Sequence, residues 1–189
     1  GESLVDMAIG VWQPAEVELA GLVQFNTEFD DFTVNAYLVW DPETKHAVAF
    51  DTGASAAEMV EFIAANDLAL SMIFITHTHP DHIADLAALR AVNPMAPVFI
   101  NAMEPIADAK TFVIGDTQSW ETGCLSIEPR LTCGHSVGGT SYVIHGLAQP
   151  VVVVGDALFA SSMGGGMVSF ADALRTNREQ LFTLDRKST

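Results

Sequence analysis

Three imidazoles and a carboxylate crowd into six consecutive positions of this chain, at His77, His79, Asp81 and His82. Imidazole and carboxylate are the borderline and hard ligands that zinc, iron and manganese accept. As packing alone, the set would be a costly group of polar side chains to place beside a buried strand. Residues 72–76 just upstream are mostly apolar and partly β-branched, which reads as such a strand. Pro80 and Asp81 read as a helix start. The candidate ligands therefore sit on a strand-to-helix turn, and open α/β sheets place their sites in the crevice beyond the carboxyl ends of strands. His77 and His79, two apart on extended backbone, can point the same way, while Asp81 and His82 on the first helical turn can face a neighbouring point. That geometry suits two metal ions better than one.

The elements that must hold this turn can be traced along the chain. Residues 18–25 and 34–40 are apolar-rich and flank the acidic stretch Glu28-Phe29-Asp30-Asp31, so they read as antiparallel strands. Residues 46–51 follow the turn signal Asp41-Pro42-Glu43 and complete a meander. Residues 54–66 have helical character, with Ala57, Val60 and Ala64 at helical spacing. Beyond the histidines, 83–92 reads as a helix ending before Asn93-Pro94, followed by a strand at 98–101, a short helix near 104–109 and a strand near 111–114. Strands are expected again at 124–130 and 141–145, bracketing Thr132-Cys133-Gly134-His135-Ser136. Residues 151–154 are all valine, which predicts a fully buried strand that ends in Gly155-Asp156. Asp156 there is either a helix cap or a ligand. The glycine-rich residues 161–167 read as a flexible segment that lets backbone approach a substrate, or as a plain connection. Residues 170–184 read as a terminal helix with Leu174, Leu181 and Leu184 near one face. His46 and His145 match no motif and read as surface or strand-face residues.

Composition narrows the partners. With 24 Asp and Glu against 8 Lys and Arg, the formal charge is −16, which argues against nucleic acid, since phosphate binding needs clustered cations. A small-molecule substrate is the expected partner. At 189 residues, 49% hydrophobic and with mean hydropathy +0.28, the chain fits one domain with large buried sheets. No apolar run approaches the ~20 residues of a membrane span. The first residues lack a basic and an apolar signal-peptide region, so a cytoplasmic location is expected. Cys124 and Cys133 have neither metal-finger nor disulfide spacing and read as small buried thiols.

The run Thr76-His77-Thr78-His79-Pro80-Asp81-His82 resembles the T-H-x-H-x-D-H motif of the metallo-β-lactamase superfamily. Gly134-His135-Ser136-Val137-Gly138 resembles that family's G-H-[ST]-x-G loop, and Asp51-Thr52-Gly53 its D-T-G. Gly155-Asp156-Ala157-Leu158-Phe159 resembles the G-D-x-L-F loop of glyoxalase II and related hydrolases. On these motifs the chain is identified as a member of the glyoxalase II-like, or hydroxyacylglutathione hydrolase-like, group. The resemblance implies an α+β fold, the αββα four-layer sandwich, as a single domain over residues 1–189. It implies His77, His79 and His135 as ligands of a first metal, Asp81 and His82 of a second, and Asp156 as a bridge. Asp51 would support the histidines, or would be an ordinary helix cap. Two divalent ions, zinc with iron or manganese as alternatives, would hold a hydroxide that attacks a thioester or lactone carbonyl, with Asp81 the catalytic group that takes up the proton. Two other readings stand beside it. One is a single iron held by His77, His135 and Asp156, as in the persulfide dioxygenases; the other is a metal-poor binding module. In the superfamily a final strand and a histidine-bearing loop follow the last helix. Residues 185–189 supply neither, so the chain is expected to be C-terminally incomplete, with a weakened second site and an unpaired sheet edge that favours a homo-oligomer.

Overall fold

The computed structural model describes residues 19–115, 118–159 and 162–182. Strands β1 (Leu22–Phe29) and β2 (Phe32–Trp40) pair as a hairpin in which Phe29 lies opposite Phe32. The turn is Asp30-Asp31 alone, with Asp30 at φ 50°, a left-handed conformation that aspartate tolerates. This tight turn extends β1 through Glu28, where the sequence suggested a longer acidic loop. β3 (His46–Phe50), α1 (Ala57–Ala65), β4 (Ala69–Phe74), α2 (Pro80–Ile83), α3 (Leu86–Val92), β5 (Val98–Asn101) and β6 (Lys110–Phe112) follow. The six strands form one sheet in chain order, antiparallel across β1, β2 and β3 and parallel from β3 to β6. A second, antiparallel sheet has the order β10-β9-β8-β7, from β7 (Trp120–Thr122), β8 (Leu125–Leu131), β9 (Thr140–His145) and β10 (Val151–Val153). Helix α4 (Phe170–Gln180) packs beside β8. The layers run helix, sheet, sheet, helix, the α+β sandwich expected from the motifs.

Strand alternation sends side chains of the first sheet into two cores. Ala47, Ala49, Ile73 and Ile75 join Met59, Ile63, Leu86 and Leu89 under the helices, while Val48, Phe50 and Phe74 join Leu125, Ile127, Tyr142 and Ile144 between the sheets. One irregularity is needed to make this work. Ala47 pairs with Leu70 but Val48 pairs with Met72, so Ser71 is an extra residue in the ladder. With it, Leu70 faces the helices and Met72 faces the other sheet; strict alternation would have put both on one side. Phe74 sits at the centre of the inner layer, with ring centroids 5.0 Å from both Trp120 and Tyr142 and 5.2 Å from Phe99. The buried Tyr142 hydroxyl donates to Ile75 O at 2.8 Å, and Thr140 N donates to Thr76 O at 3.0 Å. The second sheet thus grips the strand end that carries His77.

Several expectations change. The face of α1 against the core is Met59 and Ile63, with Ala57 and Ala64 exposed, because the larger side chains bury more apolar area. No helix forms at 104–109: Glu104 N closes a turn on Asn101 O, and Pro105 follows. Of the valine run only Val153 is buried, since β10 is an edge strand of its sheet among the described residues. The buried face of α4 is Ala173, Thr176 and Asn177, while Leu174 is exposed and Leu184 lies outside the described residues. Small residues are required there because α4 lies almost on backbone: a β-carbon on Gly134 would collide with Ala173. Cys124 is exposed rather than buried, on the turn between β7 and β8. Strand β7 itself is three residues long and has no sequence signature.

Candidate metal centre

β4 delivers Thr76 and His77 at its carboxyl end, and Pro80 at the first position of α2 fixes the turn that brings Asp81 and His82 back toward them. His77 Nε2 lies 3.0 Å from His79 Nδ1, and His135 Nε2, from the loop after β8, lies 2.9 Å from the same nitrogen. Asp156 follows β10 on a short 3₁₀ turn, with Oδ2 3.3 Å from His135 Nε2. One ligand atom from each of these four residues falls within 4.8 Å of all the others. Ligands held 2.0–2.1 Å from a tetrahedral zinc stand about 3.3 Å apart, so the spacing matches what one ion requires. On the other side of the carboxylate, Asp156 Oδ1 is 3.2 Å from His82 Nε2, and Asp81 Oδ2 is 3.5 Å from that nitrogen. The six residues singled out in the sequence therefore converge, in two overlapping groups that share Asp156. His46 and His145 are exposed, on strands β3 and β9.

The electrostatics favour a bound cation. Burial works against protonation of His77, the neighbouring His82 works against it further, and its pKa falls to about 3, leaving a neutral ring with a free lone pair. Burial and His135 lower His79 in the same direction. His82 goes the other way: burial disfavours its charge, but Asp51 and Asp156 outweigh burial and lift it to about 10. Burial raises Asp156, and the hydrogen bond and charge of His82 more than reverse that, so it stays ionised. Carboxylates that hold a proton on a buried imidazole present the same field to a metal ion. The neutral imidazoles of His77 and His79 beside the ionised carboxylate of Asp156 are donors a divalent metal ion accepts.

Two of the candidate ligand histidines, His82 and His135, are oriented from behind. Asp51 Oδ2 accepts from His82 Nδ1 at 2.7 Å and from Thr76 Oγ1 at 2.7 Å, and Oδ1 accepts from Thr76 N at 2.7 Å. It does not cap α1, whose N-terminal Ala56 N instead donates to Asp85. His135 Nδ1 donates to Gly165 O at 2.8 Å. This gives the glycine segment a definite role: Gly165 holds a histidine, and Gly164 packs on the Asp156 backbone with no space for a side chain. A β-carbon at Gly155, where φ is +51°, would meet Thr76 Oγ1 at 2.6 Å.

Glu104 was not foreseen. Buried in the loop after β5, its Oε2 accepts from Thr78 N at 2.6 Å and Thr78 Oγ1 at 3.0 Å, and its Oε1 accepts from Gly138 N at 2.8 Å. It ties the His77–His79 turn to the His135 loop. A glutamate in a polar loop carries no local signal of this, because both partners are backbone loops distant in sequence. Glu104→Ala is expected to leave buried N–H groups unpaired at a cost of about 1–3 kcal/mol, and to weaken metal binding ~10-fold by loosening two ligand loops. Urea denaturation and metal titration of the variant check both parts; lowered stability with unchanged affinity would confine the clamp to folding.

Residues 29–186 match the Metallo-beta-lactamase superfamily, and the chain belongs to that family. Among its relatives it is 34% identical over 134 residues to a hydroxyacylglutathione hydrolase of Cupriavidus taiwanensis, covering 67% of this chain and 50% of that protein. It is 28% identical over 173 residues to a probable metallo-hydrolase of Streptococcus pyogenes, covering 78% and 72%. Within the superfamily it groups with the glyoxalase II-like proteins, and it spans about half the length of the hydroxyacylglutathione hydrolases it matches. Of solved structures, the BLEG-1 B3 metallo-beta-lactamase superimposes with TM-score 0.72 at 24% identity over 86% of both chains. ETHE1 from Myxococcus xanthus superimposes with TM-score 0.70 at 25% identity, over 86% of this chain and 71% of that one. No helix among the described residues is long and apolar enough to cross a membrane.

Proposed function

We propose that this chain is a metal-dependent hydrolase that adds water across the acyl bond of a thioester or lactone. In this reading His77, His79 and His135 hold one metal ion, Asp81 and His82 a second, and Asp156 is shared. The observation that carries it is the placement of the two Asp156 oxygens, Oδ2 3.3 Å from His135 Nε2 and Oδ1 3.2 Å from His82 Nε2. A carboxylate with one oxygen in each group is suited to bridging. Zinc is the metal proposed for both positions, since it accepts imidazole and carboxylate together. When bound, such ions lower the pKa of a coordinated water from ~15.7 toward ~7 and polarise a carbonyl oxygen.

The chain's own residues do the rest. Asp81, buried and beside His82, is placed to accept the proton that the attacking water gives up. The hydroxyl goes to the acyl carbon and the proton to the departing sulfur or oxygen. Gly165 O and Asp51 accept hydrogen bonds from Nδ1 of His135 and His82, which turns each Nε2 toward the position a metal would take.

A second reading, one iron on His77, His135 and Asp156, draws on the four-residue group that could by itself hold a single ion. Elemental analysis of the purified chain with a thioester and lactone panel separates the readings. Two zinc-like ions per chain and hydrolysis that a chelator removes are expected. One iron, with oxygen uptake in the presence of a persulfide, would replace the hydrolase reading; no metal and no turnover would leave a binding module.

A further inference from the structure

Beside the shared carboxylate opens a cleft of about 760 Å³ that reaches Asp81, His82 and Asp156. Its volume falls within the ~300–1,000 Å³ range of small-molecule sites. The hairpin β1–β2 forms one wall and the segment after Asp156 the other. Phe32 and Phe159 are 53% and 52% exposed, and with Val34 and Leu158 they line the cleft with apolar surface. Two solvent-facing aromatic rings beside a candidate reaction centre are surface that a ligand can cover.

The polar part of the lining is uncharged except at the metal centre. Gln24, Thr33 and Asn35 contribute amides and a hydroxyl, and Asn35 Oδ1 already accepts from Gln24 and Asn26, which leaves its amide nitrogen as the group with hydrogens to offer. Burial and the charge of Asp51 raise the Tyr37 phenol, so it stays neutral. No lysine or arginine among the described residues lines this cleft, the smaller one at Thr78 and His79, or the gap beneath His77. Of the 8 cations in the chain, Arg186 and Lys187 lie outside the described residues. Arg90 is bonded to Ala107 O, Arg130 to Glu128 and Arg175 to Asp172 and Glu179; Lys110 lies over the Phe99 ring, Arg178 lines a separate groove on α4 with Arg175, and Lys45 is exposed in the turn before β3. Away from the metal centre, an anionic group entering the cleft would lose hydration with no lysine or arginine among the described residues to replace it. It would also approach a chain of net charge −16.

We infer that the substrate of this cleft is uncharged away from its reacting carbonyl, with an apolar portion that lies against Phe32, Val34 and Phe159. The inference rests on the proposed hydrolysis for the identity of the reacting group, and it selects within that class. Thioesters whose thiol or acyl part carries carboxylates, including those of glutathione with its two carboxylates, are poor ligands here; thioesters or lactones with neutral, apolar chains are good ones.

Binding of thioethers, which keep the thioester's shape but cannot be hydrolysed, tests this apart from turnover. The probes are S-hexyl-N-acetylcysteamine, its analogue ending in a carboxylate, its analogue ending in an ammonium group, and S-hexylglutathione, each titrated calorimetrically into the metal-loaded full chain. The neutral probe is expected to bind about tenfold or more tighter than the carboxylate probe and S-hexylglutathione, the scale of a like-charge penalty at a desolvated site. Asn35→Lys, which puts a cation on the exposed wall of the cleft, should strengthen the carboxylate probe severalfold relative to the neutral one. Equal or tighter binding of the carboxylate probe, or no binding of the neutral one, overturns the inference. The two proposals fail separately. Selective binding of the neutral probe without hydrolysis of any thioester would sink the reaction and keep the cleft, whereas hydrolysis with indifferent binding would do the reverse.

Discussion

Asp156→Ala is expected to strip metal from both halves of the centre and reduce hydrolysis to the uncatalysed background. The reason is the position of one carboxylate between two groups of imidazoles: His135 Nε2 is 3.3 Å from one oxygen and His82 Nε2 is 3.2 Å from the other. Removing it takes one of four donors from the His77, His79 and His135 group and the shared donor from the Asp81 and His82 group. An ion short of ligands is held weakly. The fold should persist, because the bonds that shape this turn are made by backbone: Ala157 N donates to Val154 O and Gly164 N to Ala157 O. His77→Ala should have the same consequence at the first group while sparing the second. Metal content by elemental analysis, with circular dichroism as the folding control, reads both variants. A folded Asp156→Ala chain that keeps its full metal complement and its turnover would remove Asp156 from the ligand set.

What the sequence revealed of this centre depended on local density. His77, His79, Asp81 and His82 are close in the chain because a strand end and a helix start must both face one point, so the ligand type and the turn that carries it are visible together. His135 and Asp156 were legible only through motifs, since their convergence on His79 and His82 is made by strand order in two sheets. Glu104 was invisible for the same reason, with partners 26 and 34 residues away and no motif around it. Helix faces misled where backbone packs closely. On α4 the leucines suggested a buried stripe, yet the side facing Gly134 has space only for Ala173 and Thr176, and Leu174 points outward. The valine run of β10 looked central because β-branched residues also suit a half-buried edge.

The field around His82 makes metal binding depend on pH, and the sign follows from its raised pKa. Its folded value of about 10 lies above the ordinary 6.5, so the metal-free chain gains stability from the charged imidazole. That gain is fully present below the unfolded value and is lost as pH rises through the folded one. A metal ion must expel that proton to reach Nε2. Affinity at the Asp81 and His82 group is therefore expected to climb with pH until it passes the folded value of about 10, with a proton released on binding, which calorimetric titration of metal at several pH values reads.

Asp51→Asn should weaken metal binding at that group by ~10–100-fold without removing any ligand, the usual size of an effect exerted through a ligand's hydrogen-bond partner. Asp51 is fully buried, and one of its oxygens holds both His82 Nδ1 and Thr76 Oγ1. It thereby sets which imidazole nitrogen faces the ion and pins the strand end that carries His77. Its backbone is left-handed, with φ 58°, a strained conformation that the carboxylate's contacts help to hold. Asparagine keeps the shape and one oxygen but turns N–H groups toward donors, so His82 loses both its orientation and the charge that keeps it protonated. The pH dependence of metal-free stability should flatten in the variant, which a purely structural role would not produce. Asp51→Gly separates the two effects, since it relieves the backbone strain yet removes the carboxylate. If Asp51→Asn binds metal as tightly as the parent chain and only its melting temperature falls, Asp51 acts on the fold and not on the ligands.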